Sequence, residues 1–207
     1  MPAWAQGCIY YQIFPERFAR RGPAGAGMDD WNAAPTRDNV LGGNLGGIID
    51  RIPYLSELGV ECLYLNPIFT GDFNHKYATT DYFSVDPMFG TKDTLRELVA
   101  RCHEASIRVI LDGVFNHISS RHFLFQDVLR NGMESKYYSC FYQLPAKPKL
   151  PAPGELPEYT CFSYVADMPK TNTADPYLRQ YFCDVGVYWI REFDIDGIRF
   201  DVGNEVS

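Results

Sequence analysis

The sequence predicts an α/β protein built on a parallel sheet, and two observations carry that expectation. Four short apolar runs have the composition of strands buried on both faces: Cys8–Phe14 (CIYYQIF), Cys62–Ile68 (CLYLNPI), Arg108–Val114 (RVILDGV) and Gly197–Val202 (GIRFDV). Continuous runs of this kind suit parallel strands better than the in-and-out alternation of antiparallel ones. Helical patterns lie between them, and alternating strands and helices imply a parallel sheet covered by its crossover helices.

The first helical pattern is Ile48–Leu58 (IIDRIPYLSEL), which ends before Gly59, a natural helix stop. Pro53 should break or kink it, because proline lacks the amide proton and its ring crowds the preceding turn. The second is Thr91–Ala105, with Thr91 as the expected N-cap and Leu95, Leu98, Val99 and Cys102 on one face. The third is Asp175–Glu192. Asp175 followed by Pro176 forms an N-cap and first-turn pair, and Leu178, Tyr181, Phe182, Val185 and Trp189 make an apolar stripe. Between the third and fourth strands, from about Phe115 to Asn172, the chain is long and irregular, with a Pro- and Lys-rich "LPAKPKLPAPGELPEY". A connection that long is usually functional or a small subdomain.

The 207 residues fit one domain or two, and 46% hydrophobic with 22% charged residues is ordinary globular composition. A net charge of −7 argues against a nucleic-acid surface or an anionic membrane as partner. No run is long and apolar enough to span a membrane, and the start "MPAWAQGCIYYQIF" does not have the pattern of a signal peptide. Six cysteines at 8, 62, 102, 140, 161 and 183 form no C-x-x-C pair. Their wide spacing reads as reduced, mostly buried thiols in a cytoplasmic protein.

In parallel α/β sheets, ligands bind beyond the carboxyl ends of the strands. After the second strand come His75, Tyr77, Asp81 and Tyr82; the third carries Asp112 and leads into Asn116 and His117; the fourth carries Arg199 and Asp201 and leads into Asn204 and Glu205. Arg199 and Asp201 are two apart and share a strand face. An arginine beside a carboxylate favours its ionised form, which suits a nucleophile or electrostatic stabiliser rather than an acid. Taken alone, the same spacing fits a structural ion pair. His117 fits a hold on a substrate hydroxyl or a hydrogen-bonded loop histidine, and Tyr77 a sugar-stacking surface or a core tyrosine. His117 and His122 lack the H-E-x-x-H spacing of a zinc site. "GGNLGG" (Gly42–Gly47) is neither a dinucleotide fingerprint nor a phosphate loop.

Together these blocks resemble the α-amylase family of glycoside hydrolases, family 13. "YYQIFPERFA" looks like the family's first barrel strand, and "LGGNLGGIIDRIPYLSELGVECLYLNPIF" like its first helix and second strand. "NHKYATTDYFSVDPMFGT" looks like the loop that follows, "DGVFNH" matches D-x-x-x-N-H, and "GIRFDVGNEV" matches G-x-R-x-D. Five blocks in the correct order are far more specific than any one of them. "DMPKTN" (Asp167–Asn172) resembles the MPKLN stretch of the neopullulanase, cyclomaltodextrinase and maltogenic amylase group, with Thr171 in place of leucine.

The resemblance implies a (β/α)8 TIM barrel. Residues 1–207 would supply only its first four βα units, and residues 115–172 a short subdomain inserted after the third strand. It implies Asp201 as nucleophile and Arg199 as the arginine that holds it. His117, Tyr77 and His75 would bind the sugar on the non-reducing side of the cut, and Asn204 and Glu205 the sugar on the leaving side. Asp112 and Asn116 would support the site. The implied substrate is an α-glucan oligosaccharide, and no cofactor is expected. No metal is assigned. Some relatives hold calcium near the Asn116 position, completed by a histidine where this chain has Glu205; others hold it in a loop after the first strand, where this chain reads "RRGPAGAGMDD".

A retaining glycosidase needs a second carboxylate as proton donor. The family places that glutamate after its fifth strand, and a whole barrel takes about 250 residues. The reading therefore expects a truncated piece of a longer parent, inactive alone, with "PAWAQ" resembling the linker after a missing amino-terminal β domain. A non-catalytic carbohydrate-binding or assembly module built on a half barrel is the alternative, and a phosphate- or metal-dependent barrel enzyme a distant third. A half barrel has two open strand edges, so self-association is expected.

Overall fold

The computed structural model describes residues 2–206. Its centre is a four-stranded sheet of β1 (Tyr10–Ile13), β2 (Cys62–Leu65), β5 (Arg108–Gly113) and β6 (Gly197–Phe200). The strands lie in that order and every pair is parallel. The register carries Tyr64 opposite Ile110 and Asp112 opposite Arg199. The sheet is open: β1 and β6 each have a single neighbour. Only the two central strands are buried as the sequence suggested. Tyr10 on β1 and Phe200 on β6 are 45% and 54% exposed, because one side of each edge strand has nothing packed on it.

The helices follow from local chemistry. α1 (Pro15–Phe18) is a single turn begun by proline. The expected helix over Ile48–Leu58 forms as two pieces, α2 (Leu45–Asp50) and α3 (Ile52–Glu57). The break falls at Arg51 because Pro53 sits in the first turn of α3, where a missing amide proton costs nothing. "GGNLGG" is a packing motif. A Cβ at Gly43 would lie 2.1 Å from the Pro15 carbonyl oxygen, and one at Gly47 2.2 Å from that of Ala19. Glycine there lets α2 approach the backbone after β1 directly.

α4 (Lys92–Glu104) starts at Thr91, whose side chain accepts from Thr94 N in a capping box, and it buries Leu95, Leu98, Val99 and Cys102. α6 (Pro176–Phe193) starts at Asp175, which accepts from Leu178 N. Its Trp189 is fully buried, stacks on Phe69 with centroids 4.9 Å apart, and donates to the Tyr82 carbonyl at 2.8 Å.

Two elements depart from expectation. The stretch after β2 is an antiparallel hairpin, β3 (Phe69–Asp72) and β4 (Ala78–Val85), rather than a plain loop. The long segment after β5 contains α5 (Phe123–Asn131). A bridge pairing His117 with Lys170 joins its two ends, and a second pairs Phe141 in its middle with Thr171. The cysteines are all unpaired, but only Cys62, Cys102 and Cys140 are buried, and Cys183 is exposed. No helix among the described residues is long and apolar enough to cross a membrane.

Candidate active site

The carboxyl ends of β2, β5 and β6 bring the expected residues to one place. Asp112, at the end of β5, is buried and its side chain has no exposed surface. Its Oδ2 accepts from the Tyr64 hydroxyl at 2.6 Å and the Tyr77 hydroxyl at 2.9 Å; its Oδ1 accepts from Arg199 Nη1 at 3.0 Å. The same Arg199 nitrogen donates to Asp201 Oδ1 at 2.7 Å. One guanidinium thus bridges two carboxylates, one sealed in the sheet and one at its rim. The Asp201 side chain is 14% exposed. Burial opposes the charge on Arg199, but its hydrogen bond and attraction to Asp112, reinforced by Asp201, hold its pKa above the ordinary arginine value. Burial pushes the Asp112 carboxyl up, while Tyr64, Arg199 and Tyr77 pull it back.

His117 lies just past β5 and is 1% exposed. Its Nε2 is 3.1 Å from the Tyr77 carbonyl oxygen and its Nδ1 3.3 Å from Asn116 Nδ2. A carbonyl only accepts, so Nε2 carries the proton and Nδ1 accepts from the Asn116 amide. The ring face stacks on Phe162 at 4.6 Å. Burial pulls its pKa down to about 4, against the upward pull of Asp201. Both ring nitrogens are therefore engaged inside the protein, and a sugar hydroxyl would have to take the place of the Tyr77 carbonyl. Tyr77 and His75 stand on the hairpin turn between β3 and β4. Their rings are tilted with centroids 5.7 Å apart, and His75 Nδ1 accepts from Tyr77 N at 3.1 Å. Burial, with the charges of Arg37 and Lys76, lowers the His75 pKa.

Asn204 and Glu205 lie on the exposed turn after β6. Glu205 is tied to Lys170, whose Nζ lies 3.2 Å from its Oε2 and 3.3 Å from its carbonyl oxygen. Lys170 Nζ also donates to Asn116 Oδ1. An ammonium in contact with that oxygen is incompatible with a calcium ion on it. In the loop after β1, Arg17 donates to the Thr36 and Asn39 carbonyls and Arg20 to that of Leu41, while Asp29 accepts from Val40 N and Asp30 from Asn32 N. The Asn116 oxygen is thus engaged by a nitrogen, and in the loop one oxygen of each aspartate is. No three His, Cys, Asp or Glu side chains gather as a metal site among the described residues. The residues present do not fit calcium at Asn116.

Sequence reasoning missed Tyr64, Lys170 and Phe162. Tyr64 sits in an apolar run and reads as core; only the register of β2 on β5 shows it facing Asp112. Lys170 was visible within "DMPKTN" without a role, because its partners lie 54 and 35 residues away.

Residues 12–207 match the family described as alpha amylase, catalytic domain. The chain belongs to that family. A cyclomaltodextrinase of Geobacillus thermopakistaniensis is 49% identical over the whole chain, which covers 35% of that relative. An intracellular maltogenic amylase of Bacillus subtilis is 45% identical, again over the whole chain and 34% of the relative. Among solved structures, the cyclic alpha-maltosyl-(1→6)-maltose hydrolase of Arthrobacter globiformis superposes with a TM-score of 0.91 at 39% identity, over all of this chain and 46% of that one. The chain thus spans about a third of the length of these curated relatives. The kinship read from the five sequence blocks is borne out, and so is the likeness to the cyclomaltodextrinase and maltogenic amylase group.

Proposed function

We propose that the chain supplies the nucleophile side of a retaining α-glucan hydrolase, the first four βα units of a (β/α)8 barrel. The observation that carries this is Asp201 at the sheet rim, held by an arginine that is itself anchored on buried Asp112. In this reading Asp201 attacks the anomeric carbon, the glycosidic oxygen leaves with a proton, and a covalent glycosyl-Asp forms; water or a sugar hydroxyl then displaces it with net retention. Tyr77 and His75 face the sugar on the non-reducing side, with His117 and Asn116 beneath, and Asn204 and Glu205 border the leaving side. Maltooligosaccharides, cyclodextrins or pullulan are the substrates, and the cytoplasm is the setting. The names of the relatives and the six unpaired thiols support this.

The reaction needs a proton donor roughly 5–5.5 Å from the nucleophile. Asp112 is the carboxylate tied to Asp201 through Arg199, but it is sealed from solvent and already accepts three hydrogen bonds. Sealed from solvent, it has no path to the glycosidic oxygen. The 207-residue chain alone is therefore expected to show no hydrolysis of β-cyclodextrin, yet to bind maltooligosaccharide, with Tyr77→Ala abolishing that binding in calorimetry. Clear turnover lost on Asp201→Asn would overturn the need for a second carboxylate.

The open sheet edges supply a second expectation. Beside β6 lies an apolar groove lined by Phe115, Phe182, Ile198 and Phe200, and Ile9 and Tyr10 are exposed at the other edge. Unpaired edges with apolar flanks favour association. Light scattering of the purified chain should show dimers or larger species as concentration rises; a monomer throughout would refute it.

A further inference from the structure

Three aromatic rings run outward from the nucleophile network along the turn between β3 and β4. Tyr77 is hooked to Asp112 by its hydroxyl. His75 follows, with its centroid 5.7 Å from that of Tyr77, and Phe73 stacks on His75 with centroids 5.2 Å apart and planes at 20°. Phe73 is the outermost of the three and is 46% exposed. Folding alone does not account for it. Its φ of 63° lies in the left-handed region that a bulky side chain rarely adopts. A ring left half in water does little to offset that cost by burial. Strain of this kind persists only where the surroundings impose it, and it gathers at ligand-binding positions. The surroundings impose it here: Asp72 accepts from the Ser119 hydroxyl on one side of Phe73, and on the other Asn74 Nδ2 donates to the Arg37 and Asn39 carbonyls at 3.2 and 3.1 Å.

The Phe73 ring borders a cleft of about 380 Å³ whose wall includes Arg37, Asp38, Asn74 and His75. That volume is within the range of small-molecule sites. The side chains of Arg37 and Asp38 form no hydrogen bond or ion pair among the described residues. A half-bare aromatic face beside an unpaired guanidinium and carboxylate suits a pyranose. The face takes the C–H side of the sugar, while the guanidinium donates to hydroxyls on its rim and the carboxylate accepts from them. An apolar ligand would leave both charges unmet, and a simple anion would meet Asp38 as well as Arg37.

We propose that Phe73, with Arg37 and Asp38, forms an outer sugar-binding position on the non-reducing side, beyond the reach of Tyr77 and His75, and that Phe73 thereby sets a preference for longer α-glucan chains. The inference rests on the hydrolase reading, which lays the glucan over Tyr77. It assigns a role to an exposed, strained phenylalanine that neither the fold nor the bond-breaking chemistry demands.

Calorimetric titration of the 207-residue chain with maltotriose and with maltohexaose tests it. Wild type should bind maltohexaose about tenfold more tightly than maltotriose. Phe73→Ala should leave maltotriose affinity unchanged and bring the two sugars within about twofold of each other. Phe73→Trp, which keeps a flat ring at the same place, should retain the preference. The double variant Arg37→Gln, Asp38→Asn should weaken maltohexaose alone, whereas Tyr77→Ala should lose both sugars. A wild-type chain that binds the two sugars equally, or a preference for maltohexaose that survives in Phe73→Ala, overturns the outer position and leaves the hydrolase reading standing. Should Phe73→Ala not fold, an undiminished preference in the Arg37, Asp38 double variant does the same. A wild-type chain that binds neither sugar overturns the hydrolase reading, and the outer position with it.

Discussion

Asp112→Ala is expected to destabilise the chain by about 2–4 kcal/mol, although the change removes no apolar group. The loss comes from the groups left behind. Two tyrosine hydroxyls and one guanidinium nitrogen converge on this carboxylate, whose side chain is fully buried. A lone buried carboxylate would be costly, and burial does push the Asp112 pKa up. Its three donors offset that cost, and removing the acceptor leaves them unpaired. Arg199 retains Asp201 and is 41% exposed, so its share is small; the Tyr64 and Tyr77 hydroxyls carry most of the effect. For a chain of this size the melting temperature should fall by about 5–15 °C. Asp112→Asn keeps the shape and one acceptor oxygen, and should fall between. The two variants also separate fold from site: Tyr77 loses its anchor in the Ala variant, and in the Asn variant Tyr64, Tyr77 and Arg199 compete for one acceptor oxygen, so any maltooligosaccharide affinity should drop even where the Asn variant remains folded. A melting curve for Asp112→Ala within about 1 °C of wild type would show that the network carries no stability.

The same network shows how far the sequence could be read. Arg199 and Asp201 were legible because two-residue spacing on a strand settles that they share a face, and Asp112 because a carboxylate in an apolar run needs partners. Tyr64 was not, because its role depends on how β2 registers against β5, a non-local fact. Among the helices, α4 and α6 announced themselves by Thr91 and Asp175, side chains that accept from the first-turn amides. α5 did not: its cap is His122, whose Nδ1 accepts from Leu124 N, and histidine is outside the usual capping set. The β3–β4 hairpin hid for a different reason. Its register shifts twice between Phe69 and Gly71, and its turn holds Phe73 and Lys76 at positive φ, where glycine or asparagine would be the usual signal. A buried Lys76–Asp86 ion pair at 2.9 Å, with Lys76 Nζ donating to the Gly71 carbonyl, holds that turn instead.

Acid should unfold the chain well before its carboxylates titrate, and two histidines set the slope. His117 and His122 are 1% and 0% exposed, and burial lowers both to a pKa of about 4 from an ordinary 6.5. A group with a depressed folded pKa binds its proton more readily in the unfolded chain. Its stabilising contribution is present above the unfolded value and is lost as pH falls toward the folded one. Between pH 7.5 and 4.5 each histidine should therefore remove about 2.5 kcal/mol of stability, a large share of a typical total. Nearby charges temper this without reversing it: Asp201 and Glu205 pull His117 up while Lys170 pushes it down, and Asp81 pulls His122 up. Asp112 acts oppositely, since its raised pKa leaves the folded state holding a proton more tightly as pH approaches the carboxylate range. Its window lies lower than most of the histidine window, so it flattens only the acid end. Urea unfolding across this range should show stability falling by about 1–1.2 kcal/mol per pH unit for each histidine near pH 5–6. His122→Asn isolates one of the two. Asparagine is a good N-cap and can still accept from Leu124 N, but it takes up no proton. The variant should keep α5 capped and halve the slope. An unchanged slope would mean that His122 binds its proton as readily in the folded chain as in the unfolded one, and that the cluster of Tyr82, Phe123 and Tyr181 rings packed around it does not exclude the charge.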